Sequence, residues 1–460
     1  MKNDIYYIFT IKCCFCYRFY NNYLLNKFCK NGIIVVTVGK LSAAYIIRLG
    51  VSIMNNKTNI LKNAKSAAAL SLCLLVSAGL MTSCGSNDSS SKSEKKKTTT
   101  TTVTTAQTEK ATETTTTTAE EIKAPEDETS ETTEIDADEM LSLWADGAKA
   151  KDELVSYMGA ITVEGSDAYI PPEDRIAVFD LDGTLFCETD PNYFDYTLLK
   201  YRVLEDKDYI DKASDFEKET AEKIAKQNET GESFEGLEVD HGKAVASAFK
   251  GMTLDEFNDY IQEFKQQDMP SYEGMKRGEG FYLPMLQIVE YLEANDFTVY
   301  IVSGTDRFIV RGIVDNSPLD VPARQIIGSD ETLVAPDQGD EDGLEYVYDD
   351  DDKVVLGGEF IIKNLKMNKV TVIAQEIGQQ PVLSFGNSSG DASMCEYVTS
   401  HNDYKSMAFM LCCDDTEREN GNIEKAEKME KLCEEHSWVP ISMKNDWTTI
   451  YGDDVKYIKK

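Results

Sequence analysis

Three short apolar runs in this 460-residue chain each stop at a polar turn that carries glycine. Ile176 to Phe179 runs into "DLDGTL", "FTVYIV" runs into Ser303 and Gly304, and Val382 to Phe385 runs into "GNSSGD". Brief apolar runs bounded by turn chemistry read as buried strands. A helix with Met285, Ile288, Val289 and Leu292 on one stripe precedes the second run, and a fourth run, "KSMAFMLCCDD", follows the third. Strands alternating with helices predict an α/β fold built on a doubly wound parallel sheet. In such a sheet ligands bind along the carboxyl edge. That edge would carry Asp180, Asp182, Thr184, Ser303, Gly304, Asn387 and Asp391.

About 110 residues separate the first turn from the second, too many for a simple connection. Within them "PNYFDYTLLKYRVL", "DFEKETAEKIAKQ" and "LDEFNDYIQEFKQQ" are helical in period, which predicts a helical cap over the ligand edge. The expected layout is a core of 136–186 and 297–460 interrupted by a cap with its return helix over 187–296. Caps select ligands by closing on them. Glu188, Tyr193, His241 and Lys243 are candidates for cap or hinge contacts, with His241 read as an ordinary exposed histidine. Order is expected from about Asp136, where Met140, Leu141, Trp144 and Leu154 recur at roughly helical spacing.

The residues before that point read differently. From Met54, lysines 57, 62 and 65 precede an apolar stretch from Ala67 to Leu80, followed by small residues and Cys84. This is the layout of a signal peptide over 54–83, with an apolar run short for a transmembrane helix. "LMTSCGS" resembles a bacterial lipoprotein lipobox, which implies lipidation of Cys84, a membrane partner through that anchor and a place on the extracytoplasmic face of the cell membrane. An uncleaved membrane anchor is the alternative. Residues 1–53 then read as a misassigned leader, with a genuine N-terminal extension as the alternative. Residues 84–135 are rich in Thr, Ser, Glu and Lys and poor in apolar residues, so they read as a disordered, solvated linker in which threonine glycosylation is the lesser reading. The chain carries 81 acidic against 47 basic side chains, which disfavours a nucleic-acid partner because phosphate binding needs concentrated positive charge.

"DLDGTL", "YIVSG", a lysine and "GNSSGD", in that order, resemble the four motifs of the haloacid dehalogenase-like hydrolases. The resemblance covers roughly residues 170–451, and "DDTEREN" with "SMKNDWTTIY" resembles the C-terminal part of a phosphoserine-phosphatase-like bacterial branch. It implies a Rossmann-like core, an Mg²⁺ cofactor, a small phosphorylated substrate and hydrolysis of a phosphomonoester. On this pattern Asp180 attacks phosphorus to form an aspartyl-phosphate, and Asp182 protonates the leaving alkoxide and then takes a proton from water. Ser303, Thr184, Gly304 and a lysine hold the phosphoryl oxygens, with hydroxyl and turn amides as donors. Lys369 fits the lysine best, Lys366 is the second choice, and Lys363 lies nearby. The Mg²⁺ ligands implied are the Asp180 carboxylate, the Asp182 main-chain carbonyl and Asn387, with Asp391 acting through a water. Many relatives carry aspartate where Asn387 stands, so one charge is missing from the metal shell.

Two aspartates after a strand ordinarily make a turn or a helix cap; the four ordered motifs displace that reading. A catalytically impaired copy used as a binding module is the rival function. A dehalogenase is disfavoured because halide displacement gives Asp182 no leaving-group proton to donate. Secretion argues against serine biosynthesis and for scavenging. Beyond Cys84, Cys187, Cys395, Cys412, Cys413 and Cys433 have no CxxC pairing, and three histidines make zinc improbable; buried free thiols are expected, which outside the cell suits an oxidant-poor habitat. "YDDDDK", residues 348–353, lacks the spaced ligands of a calcium loop and reads as a solvated hairpin turn between "LEYVY" and "KVVL".

Overall fold

The computed structural model describes residues 135–459 and, separately, the backbone of Lys27–Phe28 and Ile34–Val35, two short strands paired antiparallel. Apart from that pair, the expected leader, signal peptide, Cys84 and the linker as far as residue 134 lie outside the described residues. In chain order the elements are α1 (Ala137–Met140), α2 (Lys149–Ile161), β1 (Ile176–Phe179), α3 (Phe194–Leu204), α4 (Asp215–Thr230), α5 (Leu237–Ala248) and α6 (Leu254–Lys265). There follow β2 (Tyr272–Glu273), α7 (Leu283–Ala294), β3 (Thr298–Asp306), α8 (Arg307–Val314), β4 (Ile326–Val334), β5 (Val355–Ile362) and α9 (Met367–Val372). The chain ends with β6 (Leu383–Gly386), α10 (Ala392–Thr399), β7 (Met407–Cys412), α11 (Ile423–His436), β8 (Val439–Ser442) and β9 (Lys456–Tyr457).

Seven strands form one sheet in the order β8-β7-β6-β1-β3-β4-β5. All neighbours are parallel except the β4–β5 pair at one edge. The fold is therefore the α/β, mostly parallel, Rossmann-like sheet that the alternation of elements predicts. Every residue of β1 and of β6 is buried, as strands covered on both faces require. The chain leaves β1 toward β3 on one side and returns to its other side as β6, so β1 is the switch point of the sheet, where a crevice opens. Phe179, Phe385 and Phe409 occupy one cross-strand register, and their rings stack at centroid separations of 4.2 and 4.9 Å. This ladder ends β1 and β6 at the same height, one residue before Asp180 and one before Gly386.

Helices α3 to α6 enter between β1 and β3, and α7 returns the chain to the sheet. Ser214 and Thr253 start α4 and α6 with reciprocal capping bonds to Glu217 and Glu256. Inserted α5 packs on edge strand β5 and α6 packs on α8. The Lys265 ammonium is buried at the far end of α8, donating to the carbonyls of Gly312 at 3.1 Å and Ile313 at 2.9 Å, where a cation meets orphan carbonyls. The carboxylate of fully buried Glu419 accepts hydroxyls from Thr189, Tyr272 and Tyr451, tying the start of the insertion to the C-terminal segment.

Several local expectations change. The stretch from 136 is two helices rather than one, broken at Gly147 in the left-handed region at φ 74°, with Trp144 folded inward so that its indole donates to Pro284 O at 3.0 Å. "LEYVY" is not a strand: Tyr346 and Tyr348 bond back to Asp352, and the acidic run sits in the long exposed connection between β4 and β5. Strand β7 stops at Cys412, leaving Cys413 half-buried outside it; among the described residues the five cysteines are free. No helix among the described residues is long and apolar enough to cross a membrane.

If the phenylalanine ladder sets the sheet, Phe385→Ala removes its middle ring and leaves a cavity between two aromatic neighbours. The expected loss is about 3–5 kcal/mol of unfolding free energy, read from a denaturant midpoint with unchanged slope.

Candidate active site at the carboxyl edge of the sheet

The backbone of Asp180 continues the ladder, its amide bonding Phe385 O at 2.9 Å, and the chain then closes tightly on itself through Thr184, Leu185 and Phe186 amides to Leu181 O. Gly183 turns this corner at φ 78°, and a Cβ there would lie 1.9 Å from Asn387 Nδ2. At Gly386 a Cβ would lie 2.5 Å from that of Asp391. Glycine is required at Gly183 because the first and last turns touch each other, and at Gly386 because the last turn folds back on its own Asp391.

Lys369, near the start of α9, is fully buried with Nζ 2.6 Å from Asp180 Oδ1 and 2.7 Å from Asp391 Oδ1. Lys366 is exposed at the helix boundary, so Lys369 is the lysine that the structure brings to the acids. The other oxygen of Asp391 accepts the amides of Asn387 and Ser388 at 3.1 and 2.9 Å and the Ser388 hydroxyl at 3.0 Å. Asp391 thereby shapes the last turn and anchors Lys369, with both carboxylate oxygens committed. Asp182 faces another way: its Oδ2 accepts the Thr305 hydroxyl at 2.8 Å, and its Oδ1 is buried without a partner. The Ser303 hydroxyl is buried beside the same turn and accepts the Thr305 amide at 3.0 Å. Strand β3 carries on past Ser303 to Asp306, and Gly304 O accepts the Ser329 hydroxyl at 2.6 Å. The Thr184 amide is spent on Leu181 O, but its hydroxyl is buried without a partner, leaving the side chain rather than the amide to meet a ligand.

Residues 177–396 match the family model of the haloacid dehalogenase-like hydrolases. Among solved structures the chain is similar to a functionally unknown protein from Anaerococcus prevotii DSM 20548, at 15% identity over 65% of this chain and 94% of that one, with a TM-score of 0.40. It is also similar to cytosolic 5'-nucleotidase IIIB bound to cytidine, at 11% identity, 67% and 92% coverage and a TM-score of 0.41. A phosphoserine phosphohydrolase-like protein from Francisella tularensis subsp. tularensis SCHU S4 is similar at 17% identity, 55% and 92% coverage and a TM-score of 0.31. No curated protein matches the chain.

The electrostatics of the site separate its two leading acids. Burial and the charge of Asp391 push the Asp180 carboxyl up, to about 7, against the opposing pull of Lys369. Burial works against the Lys369 ammonium, but Asp180 and Asp391 prevail and hold it above the ordinary lysine value. Burial, then Asp195, then Asp180 push Asp182 well above its ordinary value, which suits a proton donor. Around Asp180 the buried carboxylates of Asp182, Glu188 and Asp391 face the buried Lys369 and the part-exposed Lys425. That surplus of negative charge, together with a donor set made of oxygens, fits a hard divalent cation such as Mg²⁺. The residues that would hold it are the Asp180 carboxylate, the Asp182 main-chain carbonyl and the side-chain oxygen of Asn387. Asp349, Asp350 and Asp351 also bring carboxylates together, but on an exposed turn far along the chain.

The cap candidates divide. The Tyr193 hydroxyl is pushed far up by the charge of Glu188, by burial and by Asp182, so it stands beside the acids. Lys243 is exposed and stays out of the group. His241 is not exposed: at 1% accessibility it stacks on Tyr196 at 4.1 Å, with Nδ1 3.8 Å from Asp195 Oδ2. The reason is that α5 buries Leu237, His241, Ala244, Val245 and Ala248 on one face, an alanine-rich stripe whose period is too weak to place the histidine from sequence. Thr305 and Asp195 were not anticipated either. Thr305 could be found from period-two spacing after Ser303, whereas Asp195 has the ordinary look of an acid in a first helical turn.

Burial depresses the His241 imidazole to about 4, with Asp195 opposing. An unfolded chain binds that proton at the ordinary histidine value, so this contribution to stability is intact above about pH 6.5 and is lost as pH falls toward about 4. The stability difference between wild type and His241→Gln should shrink by on the order of 3 kcal/mol between pH 7 and pH 4. Denaturant titrations across that range check it; a pH-independent difference would mean that the imidazole titrates normally.

Proposed function

We propose that the chain is an Mg²⁺-dependent phosphomonoester hydrolase that works through an aspartyl-phosphate on Asp180. The observation that carries this reading is the pairing of Asp180 with the buried Lys369 at 2.6 Å while burial, Asp195 and Asp180 push Asp182, two residues on, well above its ordinary value. An Asp180 oxygen attacks phosphorus in line with the ester oxygen, forming an O–P bond as the ester P–O bond breaks. The departing alkoxide takes the Asp182 proton. Water then attacks the aspartyl-phosphate, gives a proton to Asp182, and releases phosphate and free Asp180. Lys369 Nζ and the hydroxyls of Ser303 and Thr184 are the donors available for the phosphoryl oxygens. Mg²⁺, when bound, supplies neutralisation of phosphoryl charge that a single lysine does not. The mature protein, on this reading, is held by lipid on Cys84 at the extracytoplasmic face of the membrane and scavenges small phosphorylated molecules; the sequence from Met54 to Cys84 supports that placement.

Asp180→Asn keeps the shape and removes the nucleophile, so turnover should fall by at least about a thousandfold, and fluoroberyllate should protect wild type but not the variant. Asp182→Asn should cost far more on alkyl phosphates than on p-nitrophenyl phosphate, whose leaving group needs no proton. Equal losses on both would remove Asp182 from the acid role. Turnover by neither wild type nor variant on a broad phosphomonoester panel would favour a binding protein.

The anchor has its own check. Mass spectrometry of the mature N-terminus should find Cys84 acylated, and Cys84→Ser should move the protein out of the membrane fraction.

A further inference from the structure

Asn387 leaves the cation site one carboxylate short, and the fold sets another carboxylate against it. Glu188 Oε2 accepts from Asn387 Nδ2 at 3.1 Å, and Glu188 Oε1 lies 2.7 Å from Lys425 Nζ. The carboxylate is 8% exposed. A Cβ on Gly183 would meet both groups, at 1.9 Å from Asn387 Nδ2 and 2.8 Å from Glu188 Cδ, so the amide and the carboxylate close together over the turn that carries Asp182. With Nδ2 committed to Glu188, the oxygen of the Asn387 amide is the atom left to face a cation, because an amide that donates on one side accepts on the other. The charge of Glu188 also reaches the reacting acids, adding to the push on Asp180 and Asp182.

We propose that Glu188 is a positioning residue that completes the cation site from outside, fixing the flip of Asn387 and restoring the negative charge that an aspartate at 387 would have carried. This rests on the Mg²⁺ reading above. It differs from a bare structural ion pair with Lys425, a partner whose side chain stays half exposed while Glu188 is buried. It also changes what aspartate at 387 would do: in the presence of Glu188 it sets two carboxylates at the 3.1 Å now spanned by a hydrogen bond.

The test is Mn²⁺ binding to the full chain, read by the loss of the free-ion electron paramagnetic resonance signal and by competition with Mg²⁺, so no turnover is needed. Glu188→Gln should weaken binding by about 10- to 100-fold, the range seen when a ligand loses its supporting partner. The exchange Glu188→Gln with Asn387→Asp returns one carboxylate and one amide to the same pair, and should bind within about threefold of wild type. Lys425→Gln should leave the affinity within about threefold as well. The proposal is overturned if Glu188→Gln binds like wild type, if the exchange binds as weakly as Glu188→Gln alone, or if Lys425→Gln weakens binding as much as Glu188→Gln. A wild type that binds neither ion defeats the Mg²⁺ reading itself, a result distinct from each of these.

Discussion

A single buried ammonium shared by two carboxylates organises this site. Lys369 has no access to solvent, and taking an unpaired ammonium out of water would cost several kcal/mol even after relaxation. Asp180 at 2.6 Å and Asp391 at 2.7 Å offset that cost, which ties the end of β1, the start of α9 and the turn after β6 to one point. Removing one partner would strand charge in the interior, so the three groups act as a unit rather than as separable contacts. Such a unit needs its supports at fixed heights. The stacked rings of Phe179, Phe385 and Phe409 supply this by locking the register of three adjacent strands directly beneath the turns.

The same rigidity lets two aspartates two residues apart serve different ends. Both are buried, so desolvation raises both, and it is their neighbours that distinguish them. Asp180 looks toward an ammonium, which favours its ionised form. Asp182 looks toward a hydroxyl that also lies 3.2 Å from Asp195 Oδ2, and a hydroxyl has one proton for two acceptors. With Asp195 and Asp180 both opposing its charge, Asp182 is the member of the pair to keep its proton.

How much of this could be read from the chain alone follows from the range of the interactions. Asp180, Asp182 and Asp391 lie in short turns whose chemistry is local, and the sheet follows from apolar runs that are continuous because both faces are covered. Lys369 was legible only with a family pattern in hand, since three lysines crowd within seven residues and just one is turned inward. Thr305 is legible only through its period-two spacing from Ser303, while Asp195 and the burial of His241 are not legible, because their meaning comes from contacts more than a hundred residues away or from a face that carries alanine where a strong apolar stripe would be expected. Glu188 reads from the sequence as a cap or hinge candidate, whereas the structure sets it against Asn387 and Lys425. "LEYVY" misled in the opposite direction: β-prone residues form no strand where their hydroxyls can bond Asp352 nearby, an instance of local side-chain bonding overriding propensity.

These contacts give the inserted helices a part in the chemistry beyond covering it. Asp195 belongs to the first turn of α3, and His241, packed against it, belongs to α5; both come from the insertion, while Asp182 and Thr305 belong to the sheet. Asp195 stands second only to burial among the causes that raise Asp182. Acid strength at Asp182 is therefore a joint property of sheet and insertion, and it requires α3 to sit where its carboxylate reaches Thr305. The seating of α6 on α8 by the buried Lys265 ammonium, and of α5 on β5, fixes the insertion against the core at two places away from the acids. A chain that needs one carboxyl ionised and another protonated within a single turn gains that separation most economically by bringing the deciding charge from a second layer of structure.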